Sequence, residues 1–358
     1  MRRSSVGSGP SPDGVGRVAS SRPGETDVSA PQVVLITTGG TISMRNDPAL
    51  GGALPQLSGE EILGRVPEWE RVADVSVLSF GLFPGPHMTI ERMWDLRTAV
   101  LDAVKGGACG IVITHGTDTI EETAYLLDRS LALEVPVVVT GAMRSISELS
   151  WDGPANLMAA LRVAATEDAG RRGVMVVMDE RIVQGAEVVK THTDEMGTFE
   201  SPNWGPLGIV DHGKVLFYRE SRRRVALKTQ APALPVDLVK VVAGADARLL
   251  DASLKSGARG IVLEALGRGN VPPTVALGVR RWTSAGRPVV ITSRSLRGRV
   301  LDTYAYAGGG HELREMGVIF ADHVTGQQAR IELILTLGAV GEDLDAIRES
   351  IEGGRYDN

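Results

Sequence analysis

A chain of 358 residues, 43% of them hydrophobic, exceeds the usual size of a single core, so two domains are expected. Its 38 Lys and Arg against 44 Asp and Glu leave a net charge of −6, which supplies no excess of cation for a phosphate backbone or an anionic bilayer and argues against nucleic acid and membrane as partners. No stretch offers the ~20 apolar residues of a membrane span, and the single cysteine, Cys109, cannot close an intrachain disulfide.

The chain opens with Met1-Arg2-Arg3 and continues in Ser, Gly, Pro and charge without an apolar segment, so no export signal is readable and the cytoplasm is the expected compartment. Residues 1–30 lack periodic hydrophobes and read as a disordered tail. From Gln32 onward, Val/Ile/Leu runs at residues 33–37, 75–78, 110–113, 136–140 and 173–178 read as buried strands, and residues 89–104 and 119–133 carry helical spacing. Cys109 borders the apolar run 110–113 and is expected to be a buried structural thiol. Ser58 with Glu61 and Thr119 with Glu122 have the spacing of helix-starting capping boxes.

Residues 221–236, with the basic run Arg222 to Arg224 followed by Pro232 and Pro235, read as a linker. A second set of strands follows at residues 238–242, 260–263, 288–292 and 318–320. The halves echo each other: Gly107-Ala108-Cys109-Gly110-Ile111-Val112 matches Gly257-Ala258-Arg259-Gly260-Ile261-Val262, either as related layouts or because buried parallel strands draw on the same few residues. The expected fold class is α/β, with mostly parallel sheets in two domains. The larger spans residues 31–220 and is expected to hold the chemistry; the smaller spans residues 237–358.

In open α/β sheets, ligands bind beyond the carboxyl ends of strands, where loops enter helices. Two such corners carry hydroxyls. Thr37-Thr38-Gly39-Gly40-Thr41-Ile42 follows the first strand and matches neither common phosphate loop, so an anion or acyl site is expected rather than a nucleotide site. Thr114-His115-Gly116-Thr117-Asp118-Thr119 follows the strand at 110–113; with Thr119 serving as the cap, Thr117 and Asp118 are left for another task. Lys190 stands between Val188-Val189 and the polar run Thr191-His192-Thr193-Asp194. The six histidines have no metal-ligand spacing, so no metal or cofactor is expected, and His115 reads as packing beneath its corner. Trp151 and Trp204 read as core or interface anchors.

Together these motifs resemble the bacterial L-asparaginases. The resemblance rests on Thr38-Gly39-Gly40-Thr41-Ile42 and on His115-Gly116-Thr117-Asp118-Thr119 with Ile120-Glu121-Glu122-Thr123-Ala124-Tyr125. It continues through Gly141-Ala142-Met143-Arg144, Asp152-Gly153-Pro154-Ala155-Asn156-Leu157, Lys190-Thr191 and Asn203-Trp204-Gly205-Pro206-Leu207-Gly208. It implies an amidohydrolase that splits the side-chain amide of L-asparagine, with L-glutamine as the alternative substrate, through a threonine acyl-enzyme. The implied catalytic set is Thr41, Thr117, Asp118 and Lys190, with Asp118 accepting from the substrate α-ammonium and Lys190 polarising Thr117. Which threonine attacks first stays open at this stage. Backbone at Gly40 and Gly116 is the implied oxyanion cradle. The resemblance also implies a homotetramer built as a dimer of intimate dimers, in which Asn270, within Leu266-Gly267-Arg268-Gly269-Asn270, reaches the neighbour's substrate; the alternative is a simple turn.

The chain departs from the family pattern in three places. No tyrosine precedes Tyr125, where the family carries one on a mobile loop, and Gly51, Gly52 and Pro55 suggest a hinged or shortened lid instead. The family's Ser-Gln carboxylate binder is replaced by Pro84-Gly85-Pro86-His87-Met88, leaving Gly85 backbone or His87 for that task. The glutamate that the family supplies from a partner has no counterpart in residues 301–310, where Tyr304 and Tyr306 stand. The rival readings are a glutaminase-asparaginase, the amidase component of a tRNA-dependent amidotransferase, and a catalytically silent amino-acid-binding protein.

Overall fold

A computed structural model describes residues 30–221 and 225–353; the expected tail over residues 1–29 and the basic run 222–224 lie outside them. The N-terminal domain opens with β1 (Gln32–Gly39), a hairpin of β2 (Met44–Asp47) and β3 (Gly52–Pro55), the short helix α1 (Gly59–Leu63) and β4 (Asp74–Phe83). It continues through α2 (Ile90–Lys105), β5 (Gly110–Thr114), α3 (Ile120–Ser130), β6 (Val137–Thr140), α4 (Gly153–Ala164), β7 (Val174–Met178) and β8 (Arg181–Gln184). A two-residue pair, β9 (Val189–Lys190) with β10 (Phe199–Glu200), precedes β11 (Gly208–Asp211) and β12 (Lys214–Phe217).

Eight strands form one sheet in the order β12-β11-β8-β7-β6-β5-β1-β4. Every residue of β5, β6 and β7 is buried, which is why their sequences read as continuous apolar runs with no polar alternation. The sheet is parallel from β4 to β7, and β8, β11 and β12 extend it antiparallel.

The C-terminal domain has a four-stranded parallel sheet, β13 (Val236–Lys240), β14 (Gly260–Ala265), β15 (Val289–Ser293) and β16 (Ile319–Phe320), in that order. Its helices are α5 (Arg248–Lys255), α6 (Pro273–Ser284), α7 (Gly310–Glu315), α8 (Gly326–Val340) and α9 (Leu344–Arg348). The echo between halves extends to local geometry. In both, the residue before the buried strand donates at 2.8 Å to the entry end of the neighbouring strand, Cys109 N–H to Gln32 O at the start of β1 and Arg259 N–H to Pro235 O just before β13. Gly107 and Gly257, at φ 100° and 87°, turn each helix into its strand.

The two domains share a core. One apolar cluster joins Ile36, Leu126 and Leu127 to Val262, Ile331 and Ile334, so helices α3 and α8 pack against each other across the boundary. Inside that contact, Arg129 and Glu332 form a buried two-pronged ion pair, with Nε to Oε2 and Nη2 to Oε1 both at 2.8 Å, and Tyr125 Oη adds a third bond to Oε2 at 2.9 Å.

Two expectations are corrected. Cys109 is exposed: it precedes the buried strand, at the strand-entry end of the sheet, and its side chain faces the turn at Gly107. Ser58 and Glu61 do form a reciprocal capping box, but Thr119 makes no side-chain cap bond. Its hydroxyl donates instead to Gly85 O at 3.0 Å, tying the loop after β4 to the loop after β5. Trp151 and Trp204 are partly buried; Trp151 packs against the core, and Trp204 lies 5.1 Å from the His323 ring.

Candidate active site

The sheet order fixes where a site can form. β1 has β4 on one side and β5 on the other, so the chain leaves β1 in one direction and later returns on the opposite flank. Such a reversal opens a crevice at the carboxyl ends of the strands, and both hydroxyl corners sit there.

Three glycines hold the corners together. A Cβ on Gly40 would lie 2.4 Å from Gly116 Cα, and a Cβ on Gly116 would lie 2.5 Å from Gly85 Cα. The backbones therefore touch where any side chain would wedge them apart, and Gly40 also adopts φ 79°. Gly40 N–H donates to Phe83 O at 2.8 Å, while Gly40 O accepts Ser43 N–H and Oγ–H at 3.0 and 2.8 Å. Thr41, next along, begins a 3₁₀ turn with its side chain partly exposed. We expect Gly116→Ala to cost about 1–3 kcal/mol of stability, the range for forced overpacking, as read by denaturant unfolding. A variant as stable as its parent would mean the loops part freely.

Across this contact, Lys190 Nζ donates to Thr117 Oγ1 at 3.0 Å and to Asp118 Oδ1 at 3.2 Å. Thr117 is buried, Lys190 half-buried and Asp118 exposed, so the cluster has a dry floor and an open mouth. Among the described residues the Thr41, Thr117 and Asp118 backbone N–H groups make no hydrogen bond, which leaves donors at both corners for a ligand oxygen. Beneath them, His115 is fully buried; its Nδ1–H donates to Gly116 O and its Nε2 accepts from Thr123 Oγ1, both at 2.9 Å. Burial pushes its pKa down to about 4, so it stays a neutral packing residue at neutral pH, as its position in the motif suggested. Glu121, missed in the sequence, accepts Lys190 N–H at 2.9 Å, and burial holds its carboxyl above the usual range.

The remaining candidates are spread out. Gly85 is buried at the crevice against Asp118, while His87 is exposed on the same 3₁₀ turn and its carbonyl accepts from Arg92. Asn270 lies in the C-terminal domain, where it closes a bridge to Leu266 and its Oδ1 accepts Gly310 N–H at 3.2 Å. Within the chain it makes no hydrogen bond to the Thr117–Lys190 cluster. The segment with Gly51, Gly52 and Pro55 forms the β2–β3 hairpin, with Gly51 at φ 68° near its tip. Among the described residues no group of three or more His, Cys, Asp or Glu could hold a metal ion.

The family models match both parts of the chain. Residues 32–223 fit the N-terminal asparaginase domain, and residues 235–351 fit the glutaminase/asparaginase C-terminal domain. The chain belongs to the asparaginase family. It is 35% identical over 318 residues to an L-asparaginase of Bacillus licheniformis, an alignment covering 87% of this chain and 97% of that one. It is 32% identical over 335 residues to a component of the glutamyl-tRNA(Gln) amidotransferase of Methanosarcina barkeri, covering 90% and 78%. The crystal structure of a probable cytoplasmic L-asparaginase from Campylobacter jejuni superposes with a TM-score of 0.80 at 28% identity, covering 90% and 99%. The two glycine-and-threonine motifs seen in the sequence meet at the Gly40–Gly116 contact. No helix among the described residues is long and apolar enough to cross a membrane.

Proposed function

We propose that the protein is an L-asparaginase, which hydrolyses the side-chain amide of L-asparagine to L-aspartate and ammonia through a threonine acyl-enzyme. The observation that carries this reading is the pair of bonds from Lys190 Nζ to Thr117 Oγ1 and Asp118 Oδ1, beside the backbone contact of Gly40 and Gly116 that brings the two corners together. A hydroxyl needs a proton acceptor to attack an amide at neutral pH. In this reading Thr41 Oγ adds to the amide carbon, and its proton passes through the Thr117–Lys190 pair to the departing nitrogen, which leaves as ammonia. Water then adds to the ester, and Thr41 regains its proton as aspartate departs. The free N–H groups at the two corners receive the oxyanion, where one well-placed donor is worth about 10²–10³ in rate. Exposed Asp118 accepts from the substrate α-ammonium, and Gly85 backbone or His87 takes its carboxylate.

The proposed organisation has a catalytic domain at residues 31–220, a linker at 221–236 and a second domain at 237–358, in a cytoplasmic homotetramer. In that assembly Asn270 serves the neighbouring protomer's substrate. Asn270→Ala is then expected to raise KM while light scattering shows an unchanged oligomer; an unchanged KM would return the residue to its turn. Ammonia release from L-asparagine, L-glutamine and D-asparagine tests the function. Release from L-asparagine is expected. Preference for glutamine would move the chain toward the amidotransferase relatives, and binding without release would replace the enzyme by an amino-acid-binding protein.

A further inference from the structure

Lys190 stands on a strand of only two residues, paired with Phe199 and Glu200 and with no longer ladder to fix it. Its side chain is a flexible four-carbon stem, so the distance from Nζ to Thr117 depends on what holds the backbone below. Two consecutive residues of the C-terminal domain do this. The start of α8 is set by a capping box, in which Thr325 Oγ1 accepts Gln328 N–H and Gln328 Oε1 accepts Thr325 N–H. That cap aims Gln328 Nε2 at Val188 O, 2.9 Å away. Gln327 donates through Nε2 to Glu121 Oε1 at 2.6 Å, and the other oxygen of the same carboxylate accepts Lys190 N–H at 2.9 Å. Glu121, Val188 and Gln328 are buried, while Gln327 and Lys190 are half-buried.

We infer that Gln327 is a positioning residue for the hydrolysis, acting through Glu121 to hold Lys190 at hydrogen-bond distance from Thr117 Oγ1. The inference rests on the proposed amidohydrolase reading. It makes α8, more than a hundred residues later in the chain, part of the support of the site. Burial raises the Glu121 carboxyl above its usual range, and the bonds from Gln327 and Lys190 N–H act in the opposite direction.

The test compares the parent with Gln327→Met, Glu121→Leu, Glu121→Gln and Lys190→Met. Gln327→Met keeps length and removes the donor; kcat is expected to fall about 10–100-fold, the scale of a misplaced catalytic group, with KM nearly constant. Glu121→Leu should behave alike. Glu121→Gln retains an acceptor for Lys190 N–H and a donor for a flipped Gln327 carbonyl, so it should restore most of the lost turnover. If the residue only docks the domains, Gln327→Met and Glu121→Leu will melt earlier but turn over normally while folded, which overturns the inference. Acylation of Lys190 by acetic anhydride, followed by peptide mass spectrometry, reads the lysine without turnover: faster labelling in Gln327→Met supports the inference, and an unchanged rate overturns it. A parent that releases no ammonia, or an active Lys190→Met, refutes the functional reading instead.

Discussion

Replacing Lys190 by methionine is expected to lower amide hydrolysis by about 10²–10⁴-fold, the range for lost acid-base support, and to leave the fold intact. Methionine fills the space of the lysine stem, so the variant deletes mainly the Nζ group that bonds Thr117 Oγ1 and Asp118 Oδ1. Thr117→Ala removes the other end of that bond and should cost about as much, as should Thr41→Ala, which removes the proposed nucleophile. Because the residues act as a unit, combining two of these changes should add little to either alone. The measurement is kcat from ammonia release, paired with a thermal melt. A rate near the parent's in any of the three would withdraw that residue's role, and an early melt for Lys190→Met would make the lysine structural.

Glu332→Leu is expected to destabilise the protein by about 3–5 kcal/mol, because it takes the counter-ion from a buried charge. The Arg129 and Glu332 side chains are 1% and 3% exposed, so water cannot replace the lost carboxylate. The substitution removes both carboxylate oxygens from the Arg129 guanidinium, which keeps its bond to Val225 O, and removes the acceptor of Tyr125 Oη. Pairing it with Arg129→Met deletes the buried cation as well and should recover part of the loss, since an apolar pair of similar volume often substitutes for a buried ion pair. Denaturant unfolding of the two single variants and the double variant reads both effects. A loss below about 1 kcal/mol for Glu332→Leu, the value of an exposed pair, would show that the contact opens to solvent.

Much of the catalytic domain was legible because its information is local. Buried parallel strands demand unbroken apolar runs, which is what residues 33–37, 110–113 and 173–178 offered, and those runs became parts of β1, β5 and β7. The corners were legible for a similar reason: glycines beside hydroxyls at a strand end have few structural excuses. What stayed hidden is long-range. The short antiparallel strands β8 to β12 lack a pattern that separates them from loops, and β13 begins two residues before the predicted run. Thr119 has the spacing of a cap, yet its hydroxyl is taken by Gly85, a partner 34 residues away. Cys109 borders an apolar run but stands just outside the buried strand. Glu121 and Gln327 are 206 residues apart, and nothing in either neighbourhood announces the other.

The apolar cluster common to both domains bears on how the protein is made. Until α8 leaves the ribosome, α3 rests on α2, β6 and β7 alone, and the part of its apolar surface that meets α8 stays uncovered. Arg129 waits just as long for its carboxylate. Helix α8 and its Glu332, rather than the segment bearing the threonines, therefore complete the core that the two domains share.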